Sequence, residues 1–312
     1  MTAVMAGHIH IARFSHWVKN VLVLPGIIVA LTFDPSRLGP GLVYGLAAGL
    51  VSIGLMSSSN YVLNEILDAP FDSAHPTKRS RPIPLGLVPI PIAYLEWLGL
   101  ALAGIATGIT VSREFTIVIL IYWLMGCAYN VRPVRLKDVP FLDVLAEGLN
   151  NPLRLIAGWY LTGTDTVPVA SLCAGYWMAG CYFMTVKRFA EFRRFDGSAA
   201  RGAYRRSLAS YSEPRLLSAS LFYAALSMLF FGAFLMRYQV ELVLSFPFVG
   251  LVMARYLSMS FQPDSPAERP EKLYQDRGLV LASLVCTALM SALLFTHIPL
   301  LHDLFPPTYH RP

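Results

Sequence analysis

Long apolar runs separated by short polar breaks set the organisation of this chain. A helix that crosses a bilayer needs about 17 to 25 mostly apolar residues. Nine windows meet that need, at 18–34, 40–63, 87–111, 114–130, 140–162, 167–186, 214–235, 238–259 and 278–300, each bounded by charge, Pro or Gly. The first is short, and the fifth carries Asp143, Glu147 and Arg154. The pattern predicts an all-α polytopic membrane protein of nine transmembrane helices in a single domain over 1–312. An N-terminal cytoplasmic arm at 1–17 precedes the first window and a C-terminal tail at 302–312 follows the last. An odd number of crossings places the two ends on opposite sides.

Composition supports the membrane reading. Of 312 residues 55% are hydrophobic and 14% are charged, against about 25% charged in soluble domains, which excludes a soluble globular protein. The net charge is +6, and its placement gives orientation, because basic residues collect in short cytoplasmic loops. Arg13 and Lys19, the loop with Lys78, Arg79 and Arg81, the loop with Arg132, Arg135 and Lys137, the arginine-rich loop from Lys187 to Arg215, and Arg255 to Arg277 all fall on one side. Arg37, Arg113, Arg237 and Arg311 fall on the other. The expectation is an inner or plasma membrane protein with its N-terminus and any active site cytoplasmic. No cleavable leader, no nucleic-acid partner and no disulfide or zinc framework is expected, since Cys127, Cys173, Cys181 and Cys286 are scattered without CxxC spacing. A homo-oligomer is left open.

Candidate chemistry is concentrated at the loop mouths of that side. Asn60, Asn64, Asp68 and Asp72 recur every four residues and share one face of a continuous helix, with Glu65 beside them. Such a column repels itself unless a cation sits against it. An oxygen-only set suits Mg²⁺ bridging carboxylates to substrate phosphates, and Lys78, Arg79 and Arg81 would hold phosphate oxygens. A solvated interfacial loop is the plainer alternative. In the fifth window Asp143, Glu147, Asn150, Asn151 and Arg154 must face the bundle interior or a watered cavity. A structural network there is the alternative to a site. Lys19 and Asn20 either reach phosphate or anchor the first helix beside Trp17. The histidines offer little: His8 and His10 are assigned to the arm, and His297 and His302 to the outer side.

The stretch from Asn64 to Ile83, NEILDAPFDSAHPTKRSRPI, resembles the first aspartate motif of the UbiA superfamily of intramembrane prenyltransferases. Its HPTKRSRPI continuation is similar to the branch of decaprenyl-phosphate phosphoribosyltransferases. The likeness recurs in HWVKNVLVLPG from His16, in RLKDVPFLDVL and RLIAG between Arg135 and Gly158, in KRFAE from Lys187, and in PEKLYQDR from Pro270. It implies a UbiA-like bundle with a cytoplasm-facing cavity. It implies Asn64, Asp68 and Asp72 as catalytic, these with Glu65 as holders of Mg²⁺, and Lys19, Asn60, Lys78, Arg79, Arg81, Tyr129, Lys137, Asp143, Arg154, Lys187 and Arg188 as substrate-binding. The implied substrates are PRPP and a polyprenyl phosphate lipid. Glu65 stands where the family has Asp, and Pro70 is expected to kink or end the helix before Asp72. The second aspartate pair of the aromatic-acceptor branch is missing from KRFAEFRRFDGSAARGAYRRSLASY, where Glu191 and Asp196 are five apart. A prenyltransferase using a prenyl diphosphate donor is therefore the alternative within enzymes, and a membrane transporter the alternative outside them.

Overall fold

The computed structural model describes residues 3–73, 78–268 and 270–305. Its elements are helical throughout, with no strand among the described residues. The chain divides into two compact units, Met1–Pro168 and Val169–Pro312.

The first unit holds α1 (Ala3–Ala12), α2 (Leu24–Phe33), α3 (Pro40–Asp72), α4 (Ile90–Ile109), α5 (Arg113–Asn130) and α6 (Leu142–Leu161), with a 3-10 stretch over Phe14–Val23. At 33 residues and 1.5 Å per residue, α3 is roughly 50 Å long, well beyond the ~30 Å hydrocarbon core. Its polar last turns are the excess. The helix runs through Pro70 to Asp72, where the sequence leads one to expect a break. A proline this close to the C-terminus removes a single ladder bond, and the ion pairs of the last turns remain in place. The N-terminal arm is a packed helix. Ile11 and Ala12 of α1 are buried with Val62, Ile66 and Ala69 of α3 and Val88 and Ala93, and His8 Nδ1 meets Glu96 at 2.6 Å.

A main core joins Val23, Ile27, Ile53, Met56, Phe115, Ile119, Leu153 and Leu161. Within it α2 and α6 meet backbone to backbone. A Cβ on Gly26 would fall 1.9 Å from the Leu155 carbonyl oxygen, and one on Gly158 2.0 Å from that of Val23. Without Cβ atoms the helices approach closely, as small residues allow between membrane helices. This contact fixes α6 against the rest of the unit.

The second unit holds α7 (Ala170–Arg194), α8 (Ser198–Tyr204), α9 (Glu213–Tyr238), α10 (Phe246–Met259), α11 (Arg277–Leu293) and α12 (Pro299–Leu304). Ser227 of α9 donates to the Gly175 carbonyl of α7 at 3.0 Å, and Tyr182 of α7 donates to the Met253 carbonyl of α10 at 2.6 Å. Asp276 caps α11, accepting from the Leu279 amide at 2.7 Å and pairing with Arg255 at 2.8 Å.

Outward faces are apolar in both units: Val43, Leu95, Leu221 and Leu281 are all exposed, as side chains facing lipid would be. Among the described residues a helix lies in each of the nine predicted windows. Five stretches are long and apolar enough to cross a membrane by length and composition: Val4–Phe33, Pro40–Asp72, Ile90–Ile109, Glu213–Tyr238 and Val240–Met259.

Candidate active site

The site is built on the last three turns of α3 and the segment that follows α5. Four-residue spacing stacks Asn64 and Asp68 on one face of α3. Lys137, buried in a short 3-10 turn at Leu136–Asp138, brings its ammonium to that face. Its Nζ donates to Asn64 Oδ1 at 3.0 Å, to Asp68 Oδ1 at 2.6 Å and to Asn130 Oδ1 at 2.8 Å. Asn130 is oriented for this by its own Nδ2, which donates to the Gly126 carbonyl one turn back. Arg135 joins from the same segment, donating to Asp68 at 2.8 Å, to Asp138 at 3.0 Å and to the Asn130 carbonyl at 3.2 Å. Its guanidinium also lies 5.2 Å from the centre of the Phe71 ring. These contacts hold Arg135 at a φ of 28°, a conformation that L residues adopt only where the surroundings over-determine it.

The other carboxylates of α3 have separate partners. Asp72 is paired with Arg81. Glu65 is fully buried and turned to Arg13 at 3.1 Å, and its Oε1 has no partner among the described residues. Asn60 lies against α5: its Nδ2 donates to the Tyr122 carbonyl at 3.4 Å, and Gly126 leaves the space for it, since a Cβ there would sit 2.3 Å from Asn60 Oδ1. That oxygen also has no partner among the described residues. Buried Arg154 of α6 donates to the Tyr122 hydroxyl at 2.7 Å, and the same hydroxyl is 3.0 Å from Ser57 Oγ.

Of the remaining predicted residues in this unit, Asp143 is buried at the first turn of α6, Tyr129 is half-buried in the last turn of α5 and Lys19 is half-buried in the Phe14–Val23 stretch. Asn20 beside it is buried, its Oδ1 without a partner among the described residues. Arg79 is exposed. The Lys78 side chain and His75 lie outside the described residues. In the second unit Arg188 is buried and donates to Glu191 three residues on, while Lys187 is half-buried.

Of the residues nominated from sequence, the structure brings Asn64, Asp68 and Lys137 together, and Asn130 and Arg135, which are not among those nominated, join the same cluster. In the sequence Arg135 reads as a loop charge and as the first residue of the RLKDVPFLDVL stretch. The fit to a divalent ion is favourable in its chemistry. Asn64 and Asp68 turn oxygens to one face of α3, where they accept from Lys137, Asp72 adds a carboxylate one turn on, and hard oxygen donors are what Mg²⁺ takes.

An all-helical, multi-pass membrane protein with an amide and carboxylate face held against lysine and arginine is the class that fold and site define. The chain belongs to the UbiA prenyltransferase family, whose model matches residues 21–284. It is 30% identical over 220 residues to decaprenyl-phosphate phosphoribosyltransferase of Mycobacterium tuberculosis, covering 68% of each chain. It is 31% identical over 156 residues to an uncharacterised protein of Sinorhizobium fredii, covering 50% of this chain and 29% of the length of that one. A solved UbiA homologue from Archaeoglobus fulgidus, bound to DMAPP and Mg²⁺, superposes with a TM-score of 0.71 at 16% identity over 93% of this chain and 100% of that one. That likeness shows the shared fold.

Proposed function

We propose that this protein transfers the 5-phosphoribosyl group of PRPP to the phosphate of a polyprenyl phosphate, releasing diphosphate, as a step in making cell-envelope glycan precursors. The observation that carries the reading is the convergence of Lys137 and Arg135 on Asp68, in a chain that shares two thirds of its length with a phosphoribosyltransferase. We place this site on the cytoplasmic side of an inner or plasma membrane crossed nine times, because the basic loops fall on the same side as the motif.

Asn64, Asp68 and Asp72 would hold Mg²⁺, with Glu65 behind them in its pair with Arg13. Bound there, the ion supplies Lewis-acid neutralisation of the diphosphate. The work of the chain's own residues is positioning and charge. A phosphate oxygen of the lipid forms the bond to the ribosyl C1 as the C1–oxygen bond to diphosphate breaks, and the electron pair leaves with the diphosphate. Negative charge grows on that leaving oxygen, so the fixed cations Lys137 and Arg135 favour departure more than they favour ground-state binding. Lys78, Arg79 and Arg81 are assigned to donor phosphate oxygens, and Lys187 and Arg188 to substrate phosphate. Lys19, Asn60, Tyr129, Asp143 and Arg154 are assigned to substrate binding or to the walls that support it. The nucleophile is already an anion, so orientation replaces a general base.

The test is to incubate purified protein in detergent with radiolabelled PRPP and a series of polyprenyl phosphates. The expected product is an organic-extractable, acid-labile lipid that carries ribose and forms only with Mg²⁺. If label stays aqueous with every lipid while a prenyl diphosphate and an acceptor give product, the chain is a conventional prenyltransferase.

A further inference from the structure

A second group of potential ligands lies in the second unit, past the C-terminus of α9. The Arg193–Glu213 ion pair marks the start of that helix. Its 26 residues put roughly 39 Å between the two ends. Glu241, in a 3-10 stretch that leads into α10, is 1% exposed. Its Oε1 lies 2.9 Å from His302 Nε2 and 3.5 Å from His297 Nδ1, and it accepts from the Ile298 amide at 3.1 Å. The two imidazole rings are 4.5 Å apart. Among the described residues this is the one trio of His, Cys, Asp or Glu whose ligand atoms are all within reach of a single ion, lying within 4.8 Å of one another.

The geometry points to a binding site for a borderline divalent transition ion of the Zn²⁺ class, held by His297 Nδ1, His302 Nε2 and Glu241. Bond lengths near 2.0–2.1 Å in a tetrahedral site separate ligand atoms by about 3.3 Å, and the two distances to Glu241 bracket that value. Two imidazoles with one carboxylate favour Zn²⁺ or Co²⁺ over Mg²⁺, which prefers oxygen alone. The site is therefore chemically distinct from the one proposed for transfer. His297 and His302 have side chains 71% and 44% exposed, so the trio opens at the surface of its unit and leaves room for an ion to enter and keep a water as a fourth ligand. The Ile298 amide and Gln239, which donates to the Leu293 and Thr296 carbonyls at 3.0 and 3.3 Å, already hold the turn that presents both histidines. A bound ion would staple α12 and that turn to the entry of α10. No linear motif advertises this, because Glu241 and His297 are far apart in the chain.

The experiment uses tag-free, full-length protein in detergent, stripped with chelator and titrated with Co²⁺ alone near neutral pH. One saturable site per chain is expected, with the visible absorption of four-coordinate Co²⁺ and its loss when Zn²⁺ is added. His297→Ala and His302→Ala should each weaken binding by at least about tenfold, the lower end of what even outer-shell partners cost, while His310→Ala leaves it unchanged. Glu241→Gln removes a buried cap and risks misfolding, so the exposed His297 variant carries the test. Absence of a saturable band in the wild type, or wild-type affinity in both histidine variants, overturns the site.

Discussion

Asp68 meets two cations at once, Lys137 at 2.6 Å and Arg135 at 2.8 Å, and that makes it the most informative residue to change. Asp68→Asn keeps the shape and removes the charge. Activity should collapse and recover only in part at much higher Mg²⁺. Lys137→Ala should lower kcat and kcat/KM together and leave the half-saturating PRPP and lipid concentrations little changed, because its charge acts on the leaving oxygen. Because the two side chains touch, the double variant should lose less than the sum of the single losses, with a coupling of about 0.5–3 kcal/mol. Wild-type turnover and Mg²⁺ dependence in Asp68→Asn would remove the foundation of the transfer mechanism. The four-residue spacing of Asn64 and Asp68 was legible in sequence. The cluster's other members are 62 or more residues further on, and only the fold brings them back.

At the level of elements, helix packing and capping give two expectations. Gly158→Ala puts a Cβ 2.0 Å from the Val23 carbonyl oxygen, where backbone and not a flexible side chain must yield. It should destabilise by at least the ~1–3 kcal/mol typical of overpacking, read as a lower melting temperature in detergent. Gly232→Ala, which meets nothing within 4 Å in α9, should be neutral or stabilise by up to about 1 kcal/mol. Asp276 at the head of α11 is the second case. Burial raises its pKa, but the hydrogen bond from Arg255 and those from the Leu279 and Gly278 amides outweigh it, holding the carboxyl below its ordinary range. A depressed folded-state pKa means the stabilisation is complete above the unfolded value of about 3.9 and is lost as pH falls through the folded one. Melting temperature followed below pH 5 should therefore drop less steeply in Asp276→Asn than in the wild type, and Asp276→Ala should cost about 1 kcal/mol at neutral pH.

At the scale of the whole molecule, apolar run length and loop charge set the number and direction of crossings. With nine crossings and the basic loops inside, single cysteines at Ser80 and Ser198 in a background lacking the four native ones should label only from the cytoplasmic side. A cysteine at Asp165, whose side chain is 96% exposed, should label only from the other. Same-side labelling of Ser198 and Asp165 would show that the sixth window does not cross.

The sequence by itself determined the helical membrane class and the family, because hydrophobic run length and the spacing of Asn64, Asp68 and Asp72 are local properties of the chain. Hydrophobicity could not show that the arm before residue 18 folds as a helix against α3, since that rests on where Ile11 finds a buried surface. Nor could it show α3 continuing past Pro70. Tertiary structure alone decided which cation meets which carboxylate: Lys137 and Arg135 at Asp68, Arg81 at Asp72, Arg13 at Glu65. Charge carries no address along a chain, and electrostatic partners are chosen by distance in space, which the packing of helices sets.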